Sequence, residues 1–219
     1  MRPVVYSETI KLIVDEYEAT DPQRSAEVEW WEGQGLPFSA VIDRVGRADF
    51  FGKRHPHQRW LTAAALEAGT AALHGIRDRL QAAGDFHTLW QLIDDVFKPI
   101  YGLGELAVYD AAERLRYRLD LEAPHLIYLH AGARVGARRL AGGRLNRDSG
   151  WGILRHEVPA EMRHLCTHEI EDVLCVYKDQ FLLTPQEFRA RRTVGGSGSN
   201  CGSQGEPRIS CQTQPMCGL

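Results

Sequence analysis

Alanines and leucines between residues 61 and 80, LTAAALEAGTAALHGIRDRL, recur at three- and four-residue spacing, the period that lines up one face of an α-helix. The pattern predicts a helix over 61–80, ended by Gly84-Asp85. A second helix is predicted from about His87 to Phe97, with Leu89, Trp90, Ile93, Val96 and Phe97 on one face. Pro99 forces its end, because the residue before a proline is pushed out of the helical region. From Glu105 to Arg118 helical register returns with Leu106, Val108, Tyr109, Ala112 and Leu115. Arg114, Arg116 and Arg118 then fall near the negative end of the helix dipole.

Pro124 opens a new segment. Leu126-Ile127-Tyr128-Leu129 suits a strand by composition and equally suits a packed helical turn leading into a helix over 133–140. Thr167, with Glu169 and Ile170, opens a helix expected to reach about Leu182. Thr184-Pro185-Gln186-Glu187 is a capping box with proline in the first helical position. From residue 193 the sequence becomes TVGGSGSNCGSQGEPRISCQTQPMCGL, rich in Gly, Ser, Gln and Pro, a composition that buries little. The expected fold class is therefore all-α: one helical domain over 1–192 and a flexible, cysteine-containing tail over 193–219.

The chain has 219 residues, of which 43 % are hydrophobic, enough for a core in one good-sized domain. It has no run of 18 apolar residues, and acids arrive too early for a secretory signal. A soluble, cytoplasmic protein with no membrane partner is expected. The net charge of −3 argues against a wholly electrostatic nucleic-acid binder, but the charge is unevenly placed. Residues 7–32 carry eight acids against Lys11 and Arg24, whereas residues 134–155 carry six arginines against Asp148 alone.

Between the second and third predicted helices the chain reads FKPIYGLGELAVYDAA, so that two amphipathic patterns meet at Gly102-Leu103-Gly104. Glycines permit conformations and close approach that a side chain blocks, and the amides at the start of the following helix point toward a phosphate. Leu103 between them anchors the turn inward. With Ile100 before the turn and Ala107, Ala111 and Ala112 after it, the segment from His87 to Arg118 resembles a helix-hairpin-helix DNA-binding motif. The same motif occurs in helix-hairpin-helix DNA glycosylases, polymerases and ligases.

The resemblance implies that Gly102, Leu103 and Gly104 grip DNA backbone without reading sequence. Arg134 and Arg138, one helical turn apart, would add a basic stripe with Arg139, Arg144 and Arg147. Lys53, Arg54, His55, His57 and Arg59 form a smaller basic cluster. The catalytic lysine and aspartate of the glycosylases are missing: Leu106 stands in the lysine region, and PHLIYLH (124–130) occupies the place of the aspartate. Two alternatives accompany this reading. One is a glycosylase-like base-excision enzyme with a displaced carboxylate, Asp110, Asp120 or Glu122; the other is a helical protein-interaction module in which the turn is only a corner.

His164-x-Cys166-x-His168 and Cys175 bring metal-ligand types together within twelve residues. They lack the paired C-x-x-C spacing of a closed structural site, and Cys175 in Val-Leu-Cys-Val reads as a buried thiol behaving as a small hydrophobe. The five cysteines fit neither a disulfide scaffold nor an iron-sulfur loop. No metal and no cofactor are expected. Of the adjacent Trp30 and Trp31, at least one belongs in the core, since neighbours on a helix point about a third of a turn apart.

Overall fold

The computed structural model describes residues 4–19, 24–55, 58–141 and 152–193. Helices dominate, and the strands are short. In chain order the elements are α1 (Ser7–Ala19), α2 (Arg24–Glu32), α3 (Phe38–Gly46), β1 (Asp49–Phe50), β2 (Lys53–Arg54), α4 (Ala63–Gly75), α5 (Arg77–Gln81) and α6 (Phe86–Phe97). They continue with α7 (Glu105–Leu119), β3 (Leu126–Tyr128), α8 (Ala131–Leu140), β4 (Gly152–Leu154), α9 (Thr167–Val176) and α10 (Pro185–Thr193). None of the described helices is long and apolar enough to cross a membrane. The region expected as one helical domain is organised as two compact units, residues 23–124 and residues 1–22 with 125–219.

In the 23–124 unit, α7 packs against α2, α3 and α6. Helix α6 has the face its sequence predicts, with Phe86, Leu89, Trp90, Ile93 and Phe97 buried. The helix expected over 61–80 is two helices instead. Ile76 (φ −115°, ψ 16°) caps α4 and breaks the register before α5. Gly75 weakens the helix there, and the turn accompanies full burial of Leu80. Strands β1 and β2 pair through Asp49 with Arg54 and Phe50 with Lys53. Both turn residues, Phe51 (φ 49°) and Gly52 (φ 78°), have positive φ, as a type I′ hairpin turn requires.

The other unit closes around Ile10, Ile13, Ile127, Ile153, Met162, Ile170, Val173, Leu174, Phe181 and Phe188. The ambiguous segment 126–129 resolves as strand β3, antiparallel to β4 with Ile127 opposite Ile153. Sheet pairing over only three residues suffices because Ile127 is fully buried. Helix α9 stops at Val176, short of the expected Leu182. Beyond it the chain turns, Gln180 N–H donating to the Tyr177 carbonyl (2.8 Å) and Leu183 N–H to Gln180 (3.0 Å), which turns Phe181 inward. The capping box forms: Thr184 N–H donates to Glu187 Oε2 (2.7 Å) and Glu187 N–H to Thr184 Oγ1 (3.2 Å). Residues 194–219, Arg144, Arg147 and His57 lie outside the described residues.

Candidate functional site

Asp85 caps the start of α6, accepting from Thr88 N–H at 2.8 Å. At the other end the chain leaves the helix through two successive turns, Ile100 N–H to Phe97 O (2.8 Å) and Leu103 N–H to Ile100 O (3.2 Å). Gly102 sits at φ +98°, where an L side chain is strained. Gly104, extended at φ −106° and ψ −173°, is the N-cap of α7. Its carbonyl accepts from Ala107 (2.9 Å) and Val108 (3.2 Å), leaving the first amides of α7 directed out of the helix end.

Leu103 is buried while its neighbours Tyr101, Gly102 and Gly104 are exposed. Its Cδ1 would stand 2.9 Å from a Cβ built on Gly69 of α4, and Phe97 Cε1 3.3 Å from the same point. The absence of a side chain at Gly69 thus makes the seat for the hairpin's anchor. A Cβ on Gly102 would contact Ala65 at 3.5 Å, so the first turn of α4, capped by Thr62 Oγ1 on Ala65 N–H (3.1 Å), borders the hairpin. Two aromatic side chains are exposed here, Tyr101 on the turn and Trp60 just before α4. The Arg59 guanidinium lies 5.0 Å from the Trp60 ring.

Of the displaced carboxylates, Asp110 is buried and its Oδ2 lies 3.3 Å from Arg114 Nη2. Arg114 also donates to Gln58 Oε1 (2.7 Å) and lies 4.7 Å from the Trp31 ring. Asp120 caps the end of α7 at φ 51°, and Glu122 is exposed. The arginines expected to hang near the α7 dipole are folded inward: Arg114 and Arg116 are buried, the latter paired with Glu113. Burial works against the Arg116 charge more than any one neighbour favours it, but Glu113, Tyr117 and Tyr109 together outweigh burial and its pKa is raised.

Arg134, Arg138 and Arg139 belong to the other unit. Arg134 donates to the Leu129 carbonyl (2.8 Å). Arg139 pairs with Asp179 (2.5 Å), and that bond, against a smaller opposing effect of burial, lowers the Asp179 pKa. Arg138 is exposed. In the smaller basic cluster Lys53 and Arg54 are exposed, whereas His55 is buried against Phe50, ring centroids 5.3 Å apart. Trp31 is the core tryptophan, and Trp30 is held by its indole N–H on Asp49 O (2.9 Å).

The histidine and cysteine set singled out in the sequence is dispersed. His164 pairs with Glu18 (2.9 Å), and His168 Nδ1 lies 3.5 Å from Cys166 Sγ. Cys175 instead joins Glu171 and His130, three buried residues whose potential ligand atoms lie within 4.8 Å of one another. Glu171 and Cys175 share a face of α9 because they are four residues apart. His130 is brought to them by the end of β3 and the start of α8. The Glu-x-x-x-Cys spacing was the available signal, and nothing local to residue 130 pointed to the histidine. Compared with known proteins, the chain matches no family model, no curated protein and no solved structure.

Proposed function

We propose that α6, the 98–104 turn and α7 form a helix-hairpin-helix that holds nucleic-acid backbone without reading its sequence. The observation that carries this reading is the division of labour at residues 101–104. Gly102 takes a positive φ, Leu103 is anchored against Gly69, and the bare Gly104 caps a fifteen-residue helix whose first amides face outward. Such a helix start favours an anionic oxygen. Tyr101 on the turn presents an exposed ring, suited to lie along sugars or unpaired bases.

The test is binding of the full chain to a fluorescent DNA duplex across a salt series, beside Gly104→Ala. Gly104 has an ordinary φ and nothing within 4 Å of a built Cβ, so alanine leaves the fold intact and only obstructs close approach. Salt-dependent binding that weakens at least about tenfold in Gly104→Ala supports phosphate contact at the turn. No binding by the native chain at low salt makes the turn a corner between helices. Loss of a modified base from the duplex would favour the base-excision alternative.

A further inference from the structure

We propose that His130, Glu171 and Cys175 form a binding site for one divalent transition-metal cation of the zinc class. Each contributes a different donor: imidazole nitrogen, carboxylate oxygen and sulfur. This mixed, soft-to-borderline set suits zinc and disfavours magnesium or calcium, which take oxygen ligands. Bound as thiolate, carboxylate and neutral imidazole, the three residues carry two negative charges, so a divalent cation leaves the buried cluster neutral. A tetrahedral zinc places its ligand atoms about 3.5 Å apart, within the 4.8 Å spread already present.

The carboxylate supplies a second observation. Glu171 Oε1 is shut off from solvent and accepts no hydrogen bond among the described residues, although it lies against His130 Nε2. A buried carboxylate oxygen lacking a donor is costly. His130 Nε2 and Glu171 Oε1 face each other directly inside the buried cluster, so one cation could take both as ligands after a small separation of the two side chains. Rigid elements hold all three donors. Glu171 and Cys175 lie inside α9, and the His130 carbonyl accepts the Arg134 N–H (2.9 Å) in the first turn of α8. The ion would tie the β3–α8 junction to α9, leaving one coordination position for water. Binding transfers the Cys175 thiol proton to solvent as the metal–sulfur bond forms, with no change of oxidation state.

The experiment uses the full chain, stripped with chelator and titrated with Co²⁺, read by the near-ultraviolet thiolate-to-cobalt charge-transfer band and by the shift in thermal midpoint. One equivalent is expected to raise both signals in the native chain. Cys175→Ser, which keeps the other four cysteines, should lose the band, and Glu171→Gln should weaken binding by about a hundredfold while circular dichroism stays native. If Cys175→Ser does not fold, the isosteric Glu171→Gln decides alone. No band in the native chain, a band undiminished in Cys175→Ser, or unchanged cobalt affinity in Glu171→Gln would overturn the site.

Discussion

Gly136 on α8 lies directly against the backbone carbonyl of Leu174 on α9, so close that a side chain at position 136 would overlap the carbonyl oxygen. Neither helix can retreat cheaply, since Ala133 and Ala137 on one and Ile170, Val173 and Leu174 on the other are buried in the same core. Gly136→Ala should therefore cost about 3 kcal/mol by urea denaturation. Gly75→Ala, at a helix position with open space around it, should cost nothing.

Arg114 faces Asp110 inside the 23–124 unit, with both side chains almost fully buried. Arg114→Met removes the cation and leaves the buried carboxylate without its counter-charge, a change expected to cost about 3 kcal/mol. Adding Asp110→Asn removes the remaining charge, so the double variant should be more stable than Arg114→Met alone. A loss in the double variant equal to the sum of the two single losses would mean that the two groups are not coupled.

Asp85 gives a pH signature. The hydrogen bonds from Thr88, backbone first and side chain second, lower its pKa in the folded chain. The cap therefore contributes fully above the unfolded value of about 3.9 and fades as pH falls through the lower, folded value. Asp85→Ala should lose about 1 kcal/mol at pH 6, and its deficit against the native chain should shrink below about pH 4. Asp85→Asn, which caps without titrating, should hold its stability through that range more evenly than the native chain.

Glu105 stands at the first turn of α7, where it suits the helix dipole but opposes an incoming phosphate. At about 6 Å in water the repulsion is roughly 0.7 kcal/mol. If the hairpin holds DNA, Glu105→Gln should bind about threefold more tightly at low salt, with the gain disappearing as salt rises. An unchanged affinity would place the DNA elsewhere.

What could be read from the chain was local. The face of α6, the capping box at 184–187 and the burial of one of Trp30 and Trp31 depend on residues within a turn or two of each other, and all three formed. The break at Ile76 was not legible, because alanine- and leucine-rich spacing runs through it without a proline. Strand β3 is decided by a partner about twenty-five residues further on, which no window around Leu126 contains. The His130–Glu171–Cys175 cluster is hidden for the same reason: His164, Cys166 and His168 are neighbours in the chain, whereas the histidine that meets Cys175 is forty-five residues away. Helical spacing sets Arg134 and Arg138 one turn apart on one face of α8; it does not show that Arg134 and Arg139 each bind a group within their own unit.

The division of the chain has a consequence for how it is made. Helix α1 belongs with residues after 124, and Thr9 Oγ1 donates to the Leu183 carbonyl at 2.8 Å. As the polypeptide leaves the ribosome, the 23–124 unit has all its residues long before α1 meets its partners. Ile10, Ile13 and Val14 must therefore wait until residues 160–162, against which α1 packs, have been added, a span in which an exposed apolar face invites premature association.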